Sequence, residues 1–212
     1  MKSNIFKNIF RMFSAVILIN LIFVMHAIAF EGVTHKAINS YIADETSAIY
    51  GTYLHTYLKN NLGMEDGVKT IFNSKMAKDW IGEGGVYEDD FFRYLNHFHN
   101  PITDQGLLGH YSALTWAIGE GYRSGYSWYD VRDNYYRALV STRKADRDYF
   151  FVQTFRGLGQ VMHMVQDMSV PAHIRGDKHP SLFGIGGDPY ENWVMAGKEL
   201  LMGEHYCPEV KA

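Results

Sequence analysis

The chain has a single cysteine, Cys207, so it has no internal disulfide framework. It also lacks the G-x-S-x-G pattern of a serine hydrolase, and with Cys207 standing alone no side chain presents itself as a covalent nucleophile. Excess positive charge is missing as well. Twenty Lys and Arg face 23 Asp and Glu, for a net charge of -3 and a pI near 6.3, which gives no reason to expect a basic face for duplex nucleic acid. That balance leaves room for a lipid or single-stranded substrate held mainly by metal ions. No strand alternation, internal repeat or low-complexity linker interrupts the chain, which excludes solenoids and tails. What is present is a chain of 212 residues, 47% hydrophobic and 20% charged, long enough for one domain with a true core. Ten histidines are many for this length.

The first residues read as a targeting segment. Lys2, Lys7 and Arg11 form a positive start, Met12 to Val24 an uncharged apolar run, and Ala27-Ile28-Ala29 a small-x-small cleavage signal. Residues 1–29 are therefore expected to be a secretory signal peptide and 30–212 the mature helical domain, starting at Phe30. The competing expectation is an uncleaved anchor, since the uncharged stretch runs on to Phe30 and just reaches bilayer length. The interior Asn20 and His26 favour cleavage.

Apolar spacing predicts an all-α, compact multi-helix bundle. Helices are expected over Thr34 to Leu62, Val68 to Ile81, Ser112 to Gly119, Trp128 to Thr142, Asp146 to Met168 and Tyr190 to Met202. Residues 82–101 and 176–189 read as irregular, the first because of Gly82, Gly84 and Gly85. The aromatic stripe Trp128, Tyr129, Tyr135 and Tyr136 and the phenylalanines of 150–155 are expected in the core rather than on a substrate platform. The terminal stretch GEHYCPEVKA fits a natural end and a longer chain equally well.

Chemistry concentrates in HMVQDMSVPAH, from His163 to His173. His163 and Asp167 are one helical turn apart and share a face. Pro171 ends that helix, so His173 lies just beyond and is able to fold back. Convergent imidazole and carboxylate donors suit zinc. Further donors are His35, the run Glu88-Asp89-Asp90, His97, His179 and Glu191. Each alone has an ordinary structural explanation: a core histidine, a first-turn helix charge, a solvated acidic turn. Together, at these gaps, they point to metal. His55, His99, His110 and His205 read as structural or exposed.

FEGVTH (30–35), EDDFFRYLNHFHNP (88–101), GLGQVMHMVQDMSVPAH (157–173) and DPYENWV (188–194) occur in that order. With them the chain resembles the zinc-dependent bacterial phospholipase C family, which shares a superfamily with fungal zinc-dependent single-strand nucleases. The resemblance implies an all-helical domain with a trinuclear zinc cleft. One zinc would take an acid from 88–90, with Asp89 favoured over Glu88 and Asp90, together with His97, His163 and Asp167. A second would take His173, a loop histidine and Glu191. A third would take His35, Asp167 as a bridge, and the terminal amine and carbonyl of Phe30. Three departures stand out. Phe30 replaces the usual Trp. Gly187 sits where a histidine four residues before Glu191 is usual, leaving His179 as the nearest substitute. The gap from the acid to His97 is short.

The activity implied is that of an exported phosphodiester hydrolase. On that resemblance, a hydroxide shared by two zinc ions would attack phosphorus in line, with Asp167 and Asp89 expected in the catalytic roles. Gln166, Asp177 and Asn96 are candidate acceptors behind the ligands. Phospholipid, with peripheral membrane contact, is the first substrate expectation and single-stranded nucleic acid or nucleotide the second; no protein partner is inferred. Two other classes compete: a non-catalytic metal-binding domain that keeps the fold, and a membrane-anchored helical protein.

Overall fold

In the structure, a computed structural model, residues 32–47, 50–90, 93–120, 124–177, 181–182, 185–186 and 188–196 are described. Among them helices dominate, as the periodicity predicts: α1 (Gly32–Ala43), α2 (Tyr50–Leu62), α3 (Ala77–Tyr87), α4 (Ala113–Ile118), α5 (Trp128–Val140), α6 (Lys144–Asp167), α7 (Pro171–Arg175) and α8 (Pro189–Ala196). The described strands form two small antiparallel hairpins, β1 (Ile71–Phe72) with β2 (Lys75–Met76) and β3 (Ser181–Leu182) with β4 (Ile185–Gly186). No described helix is long and apolar enough to cross a membrane. The signal segment, Phe30, His179 and Gly187 lie outside the described residues.

The helix expected over 34–62 is two helices. Its interruption follows from Asp44, whose carboxylate accepts from the Thr46 backbone N–H at 2.9 Å and from the Thr46 hydroxyl at 2.6 Å. A local side-chain turn thus competes with the helical ladder. Ser47 Oγ then accepts from Gly51 N at 3.0 Å in the first turn of α2. Gly51 is required there, because a Cβ would fall 1.5 Å from the Asp44 carbonyl oxygen.

The helix expected over Val68 to Ile81 is also displaced. Gly67–Lys69 is a 3-10 turn, and β1 and β2 follow, turning at Asn73 and Ser74 with φ of 46° and 74°. Two left-handed residues between paired strands define a tight hairpin, and Asn tolerates that conformation. Helix α3 starts after it, with the Asp79 carboxylate accepting from Met76 N at 3.2 Å, and runs through the glycines to Tyr87.

Those glycines are helical because neighbours press on them. A Cβ at Gly84 would lie 2.2 Å from the Arg156 carbonyl oxygen, and one at Gly159 of α6 would lie 2.0 Å from that of Ile81. At Gly82 it would meet Ser40 Oγ of α1 at 2.4 Å. Helices α1, α3 and α6 therefore meet backbone to backbone, an approach that outweighs the poor intrinsic helix propensity of glycine.

Behind that junction, Ala43, Leu58, Val68, Phe72, Ile81, Phe151, Val152 and Phe155 form the main apolar core. The phenylalanines of α6 are in it, as expected. The aromatic stripe of α5 is not: Trp128, Tyr129 and Tyr136 are exposed, and Tyr135 alone of the four packs on the core. Helix α5 turns its small face, Val131 and Ala138, inwards, with Val131 packed so closely on Gly157 of α6 that a Cβ there would lie 2.6 Å from Val131 Cγ2. Ser112 and Gly119 cap α4 and Ser127 caps α5, each where the sequence places a boundary.

Candidate metal centre

Helix α6 carries Gln160, His163 and Asp167 on one buried face, at steps of three and four residues. The helix stops at Asp167. Pro171 opens α7, and His173 turns back so that its Nδ1 donates to the His97 carbonyl at 2.8 Å. The His99 N–H returns a bond to the His173 carbonyl at 3.1 Å, and the Phe98 ring stacks on the His173 ring. The segment that carries His97 is thereby held against α7. His35 comes from α1, Asp89 from just beyond the end of α3, and Glu191 from the first turn of α8. All seven described candidates converge: His35, Asp89, His97, His163, Asp167, His173 and Glu191.

The distances are specific. Asp167 Oδ2 lies 2.9 Å from His97 Nδ1 and 3.2 Å from His163 Nε2. Those two nitrogens are 3.3 Å apart. Asp89 Oδ1 completes the set at 3.7 Å from His97 Nδ1 and 3.6 Å from His163 Nε2. A tetrahedral zinc with ligands at about 2.0–2.1 Å has ligand-to-ligand edges of roughly 3.3 Å, and the edges among His97, His163 and Asp167, at 2.9, 3.2 and 3.3 Å, lie close to that value. On the other side of Asp167, Oδ1 lies 3.3 Å from His35 Nε2, and His35, Asp89 and His163 form a second group within ligating reach. Further along, His173 Nε2 lies 3.3 Å from Glu191 Oε1.

Proton positions sharpen this picture. His163 Nδ1 donates to the Gly85 carbonyl at 2.7 Å, so the neutral ring presents a lone pair at Nε2. That lone pair faces carboxylate oxygens of Asp89 and Asp167, none of which has a hydrogen-bond partner although all are buried. One proton on His97 Nδ1 is placed to bridge the contact to Asp167 Oδ2, which leaves the Asp89 oxygens and Asp167 Oδ1 without a partner. A cation among the four atoms satisfies all of them. The buried His and Asp groups can thus hold a metal ion.

The electrostatics agree. Burial raises Asp89 well above the usual carboxylate range, and Asp167, Glu88 and Glu191 raise it further. Burial also opposes ionisation of Asp167, but the imidazoles of His163, His97 and His173 outweigh it and hold Asp167 well below that range. Burial lowers His173, and the charges of Asp167 and Glu191 more than reverse this, leaving it raised. His35 is lowered by burial and by its neighbour His163, on which its ring stacks.

Of the three neighbouring acids, Asp89 is the one that reaches the cluster with unsatisfied oxygens. Asp90 is exposed. Glu88 is buried and fully engaged: Arg93 Nε and an Arg93 terminal nitrogen donate to it at 3.0 and 2.7 Å, Trp116 Nε1 at 2.7 Å and Gln160 Nε2 at 2.9 Å. Among the expected backing acceptors, Gln166 accepts from His35 Nδ1 at 2.8 Å. Asp177 instead pairs with Arg175 on the surface, and Asn96 Nδ2 turns to the Arg93 carbonyl. The carbonyls of Gly85 and His97, which orient two imidazoles, carry no sequence signal because every residue has one. Asn39 and Gln160 were also missed, although Asn39 lies four residues after His35 on the same face.

Searches for related proteins found none: no family model, curated protein or solved structure matches the chain.

Proposed function

We propose that this chain is an exported zinc-dependent hydrolase of phosphodiester bonds, of the phospholipase C and single-strand nuclease type. One observation carries the proposal: donor atoms of His97, His163 and Asp167 lie within ligating reach of one ion, with Asp89 beside them and the oxygens of both acids buried without a hydrogen-bond partner. The sequence resemblance supplies the reaction class. Asp89, His97, His163 and Asp167 would hold one zinc, and His35 with Asp167 would hold another, aided by the terminal amine of Phe30 after signal cleavage. His173 and Glu191 would serve a third, with His179. Bound zinc would supply a water whose pKa is lowered towards neutrality and positive charge for the phosphoryl oxygens.

The residues of the chain do the rest. Asp167 presents one oxygen towards His35 and the other towards His97 and His163, and so would set the spacing across the cluster. The Gly85 and His97 carbonyls hold His163 and His173 with Nε2 turned inwards. Asp89, strained by burial among carboxylates, gains most from a neighbouring positive charge.

Phospholipid is the first assigned substrate and single-stranded nucleic acid or nucleotide the second. The test is zinc content of the mature protein, followed by turnover on phosphatidylcholine vesicles and on single-stranded DNA. About three zinc per chain with turnover on either substrate supports the proposal. One zinc or none, with turnover on neither, supports the non-catalytic domain, which Gly187 favours by standing where the resemblance expects a histidine.

A further inference from the structure

A chain of hydrogen bonds with a fixed direction ends at His35. It begins at two main-chain carbonyls on different helices, Ile81 of α3 and Gly159 of α6. The side-chain amide of Asn39 donates to both, at 3.1 and 3.0 Å. Only the NH2 group of an amide donates, so this pair of bonds fixes which way Asn39 faces. Its Oδ1 then accepts from Gln166 Nε2 at 2.7 Å. Gln166 is oriented in turn, and its Oε1 accepts from His35 Nδ1 at 2.8 Å. An amide oxygen is only an acceptor, so Nδ1 carries the proton and Nε2, which faces Asp167 Oδ1 at 3.3 Å, carries the lone pair.

We infer that Asn39 and Gln166 are positioning residues that set the His35 tautomer for metal binding, reading their direction from the backbone of the α3–α6 junction. This rests on the zinc proposal for its purpose but not for its geometry. His35 and Asn39 are fully buried, so no bulk water substitutes for a missing partner. The glycines take part as well. A Cβ on Gly85 would fall 2.8 Å from Asn39 Nδ2, and one on Gly159 would push α6 from the Ile81 carbonyl that Asn39 reads. The close crossing of the helices and the protonation of a ligand thus depend on the same few atoms.

Ring nitrogen shifts of 15N-labelled histidine in the metal-free protein, at a pH where His35 is neutral, read the tautomer directly. The expected result for the native chain is Nδ1–H at His35. Gln166→Met should introduce the Nε2–H form and weaken zinc binding about 10–100-fold, the usual cost of losing an outer partner. Gln166→Glu keeps an acceptor for Nδ1–H and should retain the native tautomer. Nε2–H at His35 in the native chain overturns the inference, and so does an unchanged tautomer in Gln166→Met. If the tautomers behave as stated while neither native nor variant protein binds zinc, the relay stands and the zinc proposal falls.

Discussion

Asp167 places its two oxygens within 3.3 Å of nitrogens from His35, His97 and His163. Asp167→Ala should therefore remove zinc and turnover together, as should His163→Ala, by more than the roughly 10–100-fold that an outer partner costs. Metal analysis beside an activity assay checks this, and retained turnover in Asp167→Ala would count against a bridging carboxylate. Asp89 should give effects of opposite sign. Its folded-state pKa is raised, so in the metal-free chain its ionisation opposes folding once the pH passes the unfolded value of about 3.9, and most fully above the folded value. Asp89→Asn abolishes that penalty. Its melting temperature near neutral pH should rise without zinc, yet it should gain less than the native protein when zinc is added. Glu88 differs again. It is a buried carboxylate paired with Arg93, and Glu88→Gln should cost about 3 kcal/mol in urea denaturation, the lower range for breaking a buried pair.

At the scale of elements, the junction of α1, α3 and α6 is the sensitive part. Gly159→Ala forces a methyl group to 2.0 Å from the Ile81 carbonyl oxygen, so α3 and α6 must separate. The expected cost is about 1–3 kcal/mol, with zinc affinity falling as His35 and Asp89 move relative to α6. Calorimetry with a zinc titration reads both. The break between α1 and α2 offers a pH test. Lys78 and Thr46 hold the Asp44 carboxyl well below its ordinary range, so its contribution is complete above about pH 4 and disappears as the pH falls through the lowered value. Asp44→Asn should be less stable than native at pH 6, and the difference should vanish in strong acid. Helix α6 was legible because its period persists across many residues, and α5 because its aromatic positions repeat at helical spacing. The α3 glycines were misread because local propensity knows nothing of a neighbouring backbone. The α5 stripe was misplaced because periodicity finds a face without saying which neighbour has room for it.

For the molecule as a whole, a cation that ties α1, α3, α6 and the 93–99 segment together binds the folded state and not the unfolded one. Chelation should then lower the melting temperature of the loaded protein, and added zinc should restore it in proportion to the logarithm of its concentration. The residue types and order of the site were written in the linear chain: His163, Asp167 and His173 declare themselves through helical spacing and a proline, and His35, His97 and Glu191 through their places around that motif. Folding decided what spacing cannot. Glu88, Asp89 and Asp90 are chemically alike and adjacent, and only the end of α3 turns Glu88 to Arg93, Asp89 to the cluster and Asp90 to solvent. Likewise, a main-chain carbonyl is identical at every residue, so which carbonyls orient His163, His173 and Asn39 is settled only when distant helices come into contact.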